Sequence, residues 1–407
     1  MRPSDFWKTS AEQEADWLGK STTWLDMPFG AIEQLCSNLR KPSIPCKANR
    51  QKYAGGFFFV TIEVEFDDGV IWVARLCTEH RTGRALSPKI ISRRIGCEVA
   101  TLKLVSERTT IPVPTVYSWS DSTKNELGFP YVLSSAILGQ TAEGFELPTL
   151  ENRPDVIPQH KLEAFQRFCK SLAKVHLELS RITFDKLGSV YFDPKDATKY
   201  VADRKHTKTL NLMKQHRSSP ENHLKAAFTV WLHRQLLISI ANAEEGSSSF
   251  MFSHGDLRYA NIMVDESGEI IGIIDWDLAG SVPKHNFAAQ LREHVQILFP
   301  YETRCGPHYS IYHAALVEEE KTQPDHHHVQ SLTVSELYAS PVTQMLAFAT
   351  KFIRSANCVD ERWPEAYARV LWGTTDWSAA LEGDAFKQWY AAIHPSLRAV
   401  SPDVSPS

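Results

Sequence analysis

Val60, Ile62, Val64 and Phe66 alternate with Thr61, Glu63 and Glu65, the period of a strand with one buried face. Asp67-Asp68-Gly69 reads as a turn and Val70 to Leu76 as a second β-rich run, so the pair predicts an antiparallel hairpin. The period then changes. Ile95, Val99, Leu102 and Val105 recur at helical spacing and predict a helix over 90–107, ended by Pro112 and Pro114. Tyr131-Val132-Leu133, after Gly128-Phe129-Pro130, predicts a further strand. Beyond 150 long helices are expected. Leu162, Phe165, Cys169, Leu172, His176 and Leu179 share one face, as do Leu224, Phe228, Trp231, Gln235 and Leu236.

A loop at Glu244 to Ser249 returns the chain to strand-rich sequence. Two short apolar runs, Ile262-Met263-Val264 and Ile270 to Ile274, flank Asp265-Glu266-Ser267-Gly268 and predict a second hairpin. After Pro283 the pattern is helical and aromatic, apart from a polar loop near 318–328. Residues 1–50 mix helix-compatible stretches (Glu12 to Leu18, Ala31 to Leu39) with a Pro-rich passage at 42–45, an N-terminal extension expected to pack on a larger body. A β-rich first third and a helical remainder predict an α+β chain of two lobes, 51–136 and 137–400, with a disordered Ser/Pro tail at 401–407.

Composition narrows the class. A 407-residue chain with 43% hydrophobic and 23% charged residues has the make-up of a globular protein with a substantial core. A formal net charge of −4 gives no electrostatic case for a nucleic-acid partner. The seven cysteines (36, 46, 77, 97, 169, 305, 358) do not read as a disulfide framework. Met-Arg-Pro-Ser-Asp-Phe-Trp-Lys lacks the apolar core of a signal peptide, and no run approaches the ~18 apolar residues of a membrane span. A soluble, intracellular protein, taken as cytoplasmic and not bound to a membrane, is expected.

The chemistry concentrates in residues 252–278. Asp256 lies five positions before Asn261, and Asp275 follows the second arm of the predicted hairpin. Arms of similar length would bring Asp275 back beside Asn261, and two such oxygens suit Mg²⁺, a hard cation that takes few protein ligands. Asp256, on the preceding loop, could then orient an acceptor hydroxyl and take its proton. Other clusters say less. His326-His327-His328 could bind a transition metal or form a solvated loop. Glu318-Glu319-Glu320 could attract a cationic acceptor or simply end a helix in solvent. Ser253, His254 and Asp256 are neighbours that point in different directions, with no G-x-S-x-G elbow, so no hydrolase triad is expected. Trp363, Trp372, Trp377 and Trp389 fit helix packing or an apolar acceptor pocket.

His254-Gly255-Asp256, Asn261 and Ile274-Asp275-Trp276 at this spacing resemble the core of the aminoglycoside phosphotransferase and choline kinase-like family, distant relatives of protein kinases. The likeness is to its fungal members, runs over roughly 53–285, and includes Leu172-Ala173-Lys174-Val175-His176 and Phe184-Asp185-Lys186-Leu187-Gly188. It implies a bilobal protein kinase-like fold with a nucleotide-binding small lobe, and use of ATP and Mg²⁺ on a small hydroxylated acceptor. By this resemblance Asp256 is the catalytic base, Asn261 and Asp275 are metal ligands, and His254 braces the catalytic loop. It further implies a strand cation paired to a helix acid. Arg75 stands where protein kinases have lysine, and Glu98 shares the inward stripe of Ile95 and Leu102, so Arg75 would pair with Glu98 and touch the phosphates. Gly55-Gly56 would be the phosphate loop or a plain turn, and Ser134, Ser135 and Ala136 the hinge for the adenine. Two other readings stand beside a kinase: a nucleotide-binding pseudoenzyme or scaffold, and an enzyme that activates an acceptor for cyclisation or condensation. The acceptor and the oligomeric state are not legible.

Overall fold

The computed structural model describes residues 2–9, 27–55, 58–78, 87–145, 159–203, 249–296, 307–322, 332–344 and 376–398, with single positions between 224 and 238 and between 346 and 373. The expected helix at 12–18, Gly56, the three histidines at 326–328, Trp363 and the tail at 401–407 lie outside these, as does most of the loop at 244–249.

The first part of the chain builds a seven-stranded antiparallel sheet. Its strands are β1 (Lys8–Thr9), β2 (Cys46–Ala48), β3 (Lys52–Gly55), β4 (Phe59–Phe66), β5 (Ile71–Cys77), β6 (Val116–Ser120) and β7 (Tyr131–Ser135). They run β1-β3-β4-β5-β7-β6, with β2 paired to β4. The expected β4–β5 hairpin forms, with Glu65 opposite Ile71 and Phe59 opposite Cys77. Its alternation buries Val60, Ile62, Val64, Trp72, Ala74 and Leu76 against helix α1 (Phe29–Leu39) and Tyr53. The opposite face carries Phe59, Cys77 and Arg75 toward helix α2 (Pro88–Arg108), where Ile95 and Val99 cover it.

Glu63 departs from the simple alternation. It is 1% exposed because the N-terminal segment covers that edge: the Ser4 backbone N–H and Oγ and the Arg2 guanidinium all donate to its carboxylate, at 2.8–2.9 Å. A buried carboxylate with three donors is satisfied, and a polar strand position thereby becomes interior.

The remainder is helical but less uniformly than the pattern predicts. Helix α3 (Gln159–Arg181) buries Phe165, Cys169, Leu172, His176 and Leu179, as its stripe requires. Strands then follow: β9 (Thr183–Phe184), a hairpin of β10 (Gly188–Asp193) and β11 (Asp196–Asp203), and β12 (Phe250–Ser253). With β15 (Gly280–Val282) they form a five-stranded sheet ordered β11-β10-β15-β12-β9. The 188–203 hairpin corrects the expectation of unbroken helix beyond 150. It packs on α2, with Tyr200 Oη donating to Glu107 at 2.8 Å and the Arg93 and Lys103 cations 5.8 and 5.5 Å from the Tyr191 and Phe192 rings. The hairpin of β13 (Ile262–Val264) and β14 (Ile270–Ile273) forms as predicted and is extended by β8 (Gln140–Thr141).

After β15 come helices α4 (Lys284–Gln296), α5 (Pro307–Thr322), α6 (Val334–Ala339), α7 (Ser378–Glu382) and α8 (Asp384–Arg398). The polar loop expected near 318–328 is helix as far as Thr322. Of its three glutamates, Glu319 and Glu320 are buried, and Glu320 accepts from the Ser335 N–H and hydroxyl, so they are not a solvated helix end. Phe228, Trp231, Leu232 and Leu236 form an aromatic cluster with Phe386 against which Trp377 and Trp389 pack, whereas Trp372 is exposed. Among the described residues no helix is long and apolar enough to cross a membrane. The architecture is α+β: a β-rich N-terminal part and a mostly helical C-terminal part.

Candidate active site

Strand β12, its Phe252 buried in the main core, delivers His254, Gly255 and Asp256 to its C-terminal end. His254 is buried, its ring 4.3 Å from that of Trp276. Its Nε2 lies 3.0 Å from the Ile274 carbonyl oxygen and must donate, while Nδ1 accepts from the Asp256 N–H at 3.3 Å. That pattern selects the neutral Nε2–H tautomer. His254 therefore ties the loop bearing Asp256 to the strand end bearing Asp275. Gly255 has φ +81°, and a Cβ there would stand 2.2 Å from the Leu278 carbonyl oxygen, so the backbones meet where only glycine fits.

The β13–β14 ladder places Ile262 opposite Ile273, and Ile274 N donates to Asn261 O at 3.0 Å. Asn261 and Asp275 thus leave adjacent strands at the same end of the hairpin. Asn261 Nδ2 donates to the Asp256 carbonyl oxygen at 2.8 Å, leaving Oδ1 with no hydrogen bond among the described residues. Asp275 adopts φ 68°, ψ 57°, left-handed backbone that aspartate tolerates better than most residues. Its Oδ1 accepts from Arg75 Nη2 at 2.8 Å. Arg75 also donates to Glu98 through Nη1 and lies 4.7 Å over the Phe59 ring. Asp256, a quarter exposed, accepts from Arg258 Nε at 3.1 Å.

Charge follows this geometry. Burial, the largest effect, pushes Glu98 up to about 7 against the pull of Arg75, with the Asp275 and Asp277 charges adding to the rise. At Asp275 burial also opposes ionisation, but the Arg75 charge and hydrogen bond, with the Arg94 charge, outweigh it and hold the carboxyl below its ordinary value. Asp277 goes the other way, raised by burial and by the neighbouring Asp275 charge. One carboxylate of the Asp275-Trp276-Asp277 turn is thus favoured as the anion at the expense of the other.

The arginine holding Asp277 escaped sequence reasoning. Arg94 pairs with Asp277 and stacks 4.2 Å over Phe58, one helical turn before Glu98. Its i−4 relation to Glu98 was the available signal. Gly55 ends β3 and faces Val60 of β4. The expected hinge, Ser134 to Ala136, lies at the end of β7. Ser134 sits in the ladder between Val73 and Val116, Ser135 N donates to Thr115 O at 2.9 Å and Ala136 N to Ile71 O at 3.1 Å. The Ser135 and Ala136 N–H groups are thus engaged by neighbouring backbone.

Residues 89–283 match the model of the phosphotransferase enzyme family. Altered inheritance of mitochondria protein 9 of Candida glabrata is 29% identical over 109 residues, 25% of this chain and 17% of that protein. Clavilactone A biosynthesis cluster protein Y of Ampulloclitocybe clavipes is 23% identical over 55% of this chain and 59% of its own. The chain thus spans a minor part of the first of these relatives. Among solved structures, the ADP-bound aminoglycoside phosphotransferase APH(2'')-Ib is 14% identical with a TM-score of 0.43, covering 85% of this chain and 97% of that one.

Proposed function

We propose that the protein is a cytoplasmic small-molecule kinase that moves the terminal phosphoryl group of ATP, bound with Mg²⁺, to an acceptor hydroxyl. The observation that carries this reading is Arg75 bridging Glu98 on α2 and Asp275 at the hairpin end, which gathers strand, helix and hairpin around one cation. In the proposal Asn261 and Asp275 hold the metal. Asn261 Oδ1 and Asp275 Oδ2 are hard oxygen donors with no hydrogen bond among the described residues, a donor set that suits Mg²⁺. The metal supplies charge neutralisation on the phosphates. Asp256 orients the acceptor hydroxyl and takes its proton; His254 fixes the loop from which it does so. Arg75 lies beside the phosphates, bidentate-capable and permanently charged. The Gly55-Gly56 turn approaches the phosphates, and the segment following β7 holds the purine. The small lobe of the proposal is 51–136 and the large one 137–400.

The test is ADP formation with Mg·ATP and a library of hydroxylated metabolites, for the unmodified chain and Asp256→Ala. Acceptor-dependent turnover lost in the variant, with a product heavier by one phosphoryl group, supports the reading. ATP binding without turnover on any acceptor overturns it in favour of a scaffold. A product without phosphate points instead to activation for cyclisation or condensation. A tagged chain found in an organelle removes the cytoplasmic part.

A further inference from the structure

We propose that Arg94 is a positioning residue: its ion pair with Asp277 clamps the turn after Asp275 to helix α2 and so holds Asp275 in its left-handed conformation. The proposal rests on the reading of Asp275 as a metal ligand. Asp275 is the only non-glycine residue with positive φ among the described residues, a conformation that persists only when neighbours over-determine it. On its N-terminal side the constraint is visible in the bonds of Ile274, whose N–H donates to Asn261 O and whose carbonyl accepts from His254. On its C-terminal side the turn Trp276–Leu278 is gripped by α2. Trp276 is fully buried, Asp277 is paired to Arg94, and Cys97 Sγ lies 3.6 Å from the Ala279 carbonyl oxygen.

Two cation–acid pairs therefore cross between α2 and its neighbours in opposite senses. Arg75 of β5 reaches Glu98 of the helix, and Arg94 of the helix reaches Asp277 of the turn. Asp275 and Asp277, on either side of the Trp276 anchor, each take one arginine. Arg94 has a further contact: its guanidinium lies over Phe58, which directly precedes β4. One side chain thus couples the start of β4 to the backbone that aims Asp275.

Amide hydrogen exchange on the ligand-free protein tests the clamp directly. In Arg94→Ala, amides of 274–280 should exchange about tenfold faster or more, while those of 95–105 keep their rates. Asp277→Asn should reproduce the effect, the double variant should be no worse than either single one, and Arg94→Lys should restore part of the protection. In calorimetric titrations with ATP, the Mg²⁺ concentration for half-maximal binding should rise by about tenfold in Arg94→Ala, with metal-free ATP affinity unchanged. Unchanged exchange at 274–280, or acceleration spread evenly over α2, overturns the proposal. Absence of Mg²⁺-dependent ATP binding in the unmodified protein would instead sink the phosphotransfer reading, leaving the exchange result to decide the clamp alone.

Discussion

Gly255→Ala adds one methyl group between His254 and Asp256, and the structure sets its cost. Two effects combine. An L-residue at φ +81° carries the left-handed penalty of about 1–2 kcal/mol. The new Cβ would also stand 2.2 Å from Leu278 O and 2.9 Å from Leu278 C, both backbone atoms that cannot rotate away. Relieving that contact requires the catalytic loop and the Trp276–Leu278 turn to part by about 1 Å, and overpacking of this kind costs about 1–3 kcal/mol more. The sum, about 2–5 kcal/mol, should lower the melting temperature by several degrees. Under the proposed phosphotransfer, a 1 Å displacement of Asp256 relative to Asp275 should cost roughly 10²-fold in turnover. Gly128→Ala is the internal control, since Gly128 has φ +70° but nothing within 4 Å of the added Cβ. It isolates the backbone penalty and should leave Mg·ATP binding unchanged. Thermal unfolding and calorimetric ATP titration of both variants decide the matter. If Gly255→Ala behaves like Gly128→Ala in both measurements, the close approach of loop and turn is not what places Asp256.

Four further outcomes are expected. Asp256→Asn should keep Mg·ATP binding within a few-fold while turnover falls about 10²–10⁴-fold, and Asp275→Asn should chiefly raise the Mg²⁺ requirement, both read by steady-state kinetics over a metal series. Burial holds His176, bonded to Tyr312 Oη at 2.6 Å, at about 3, well below the ordinary histidine value. It stays neutral in the folded chain while the unfolded chain takes up a proton, so its contribution is complete above pH 6.5 and is lost as pH falls toward 3, at up to about 1.4 kcal/mol per unit. His176→Phe should flatten that part of the stability–pH curve in urea titrations; an unaltered acid slope would refute the assignment. Glu63→Ala leaves the Ser4 N–H, the Ser4 hydroxyl and Arg2 without their acceptor, at a cost of about 1–3 kcal/mol, and should open residues 2–9 to proteolysis before the rest of the sheet.

What could be read from the sequence was what local periodicity controls. The β4–β5 alternation puts Arg75 on the face away from Trp72 and Ala74, and the stripe of α2 puts Glu98 inward, so their meeting follows from two periods and one packing step. The β13–β14 hairpin is likewise local, which is why Asn261 and Asp275 could be paired in advance. Features set by distant chain were not legible. Glu63 reads as exposed until Arg2 and Ser4 arrive from about sixty residues away. Glu320 reads as a solvated helix end until Ser335 caps it. In 188–203 the alternation is broken by Asp193-Pro194-Lys195-Asp196 at the turn, and its stabilising contacts lie on α2, nearly a hundred residues earlier. Ser134 to Ala136 could be located as the strand end, but whether their N–H groups were free depended on β5 and the chain before β6.

The middle of the five-stranded sheet has a geometric consequence. Its adjacent strands β10, β15 and β12 respectively press on the helix carrying Glu98, leave the turn carrying Asp277, and run into His254 and Asp256. Strand spacing in a sheet is fixed by hydrogen-bond length, at about 4.8 Å. The sheet therefore acts as a ruler for the site, with its graduations set by backbone and not by side chains. Movement of β5 along α2 would displace Arg75 while Glu98, Asp277, His254 and Asp256, each referred to a strand of this sheet, keep their mutual distances.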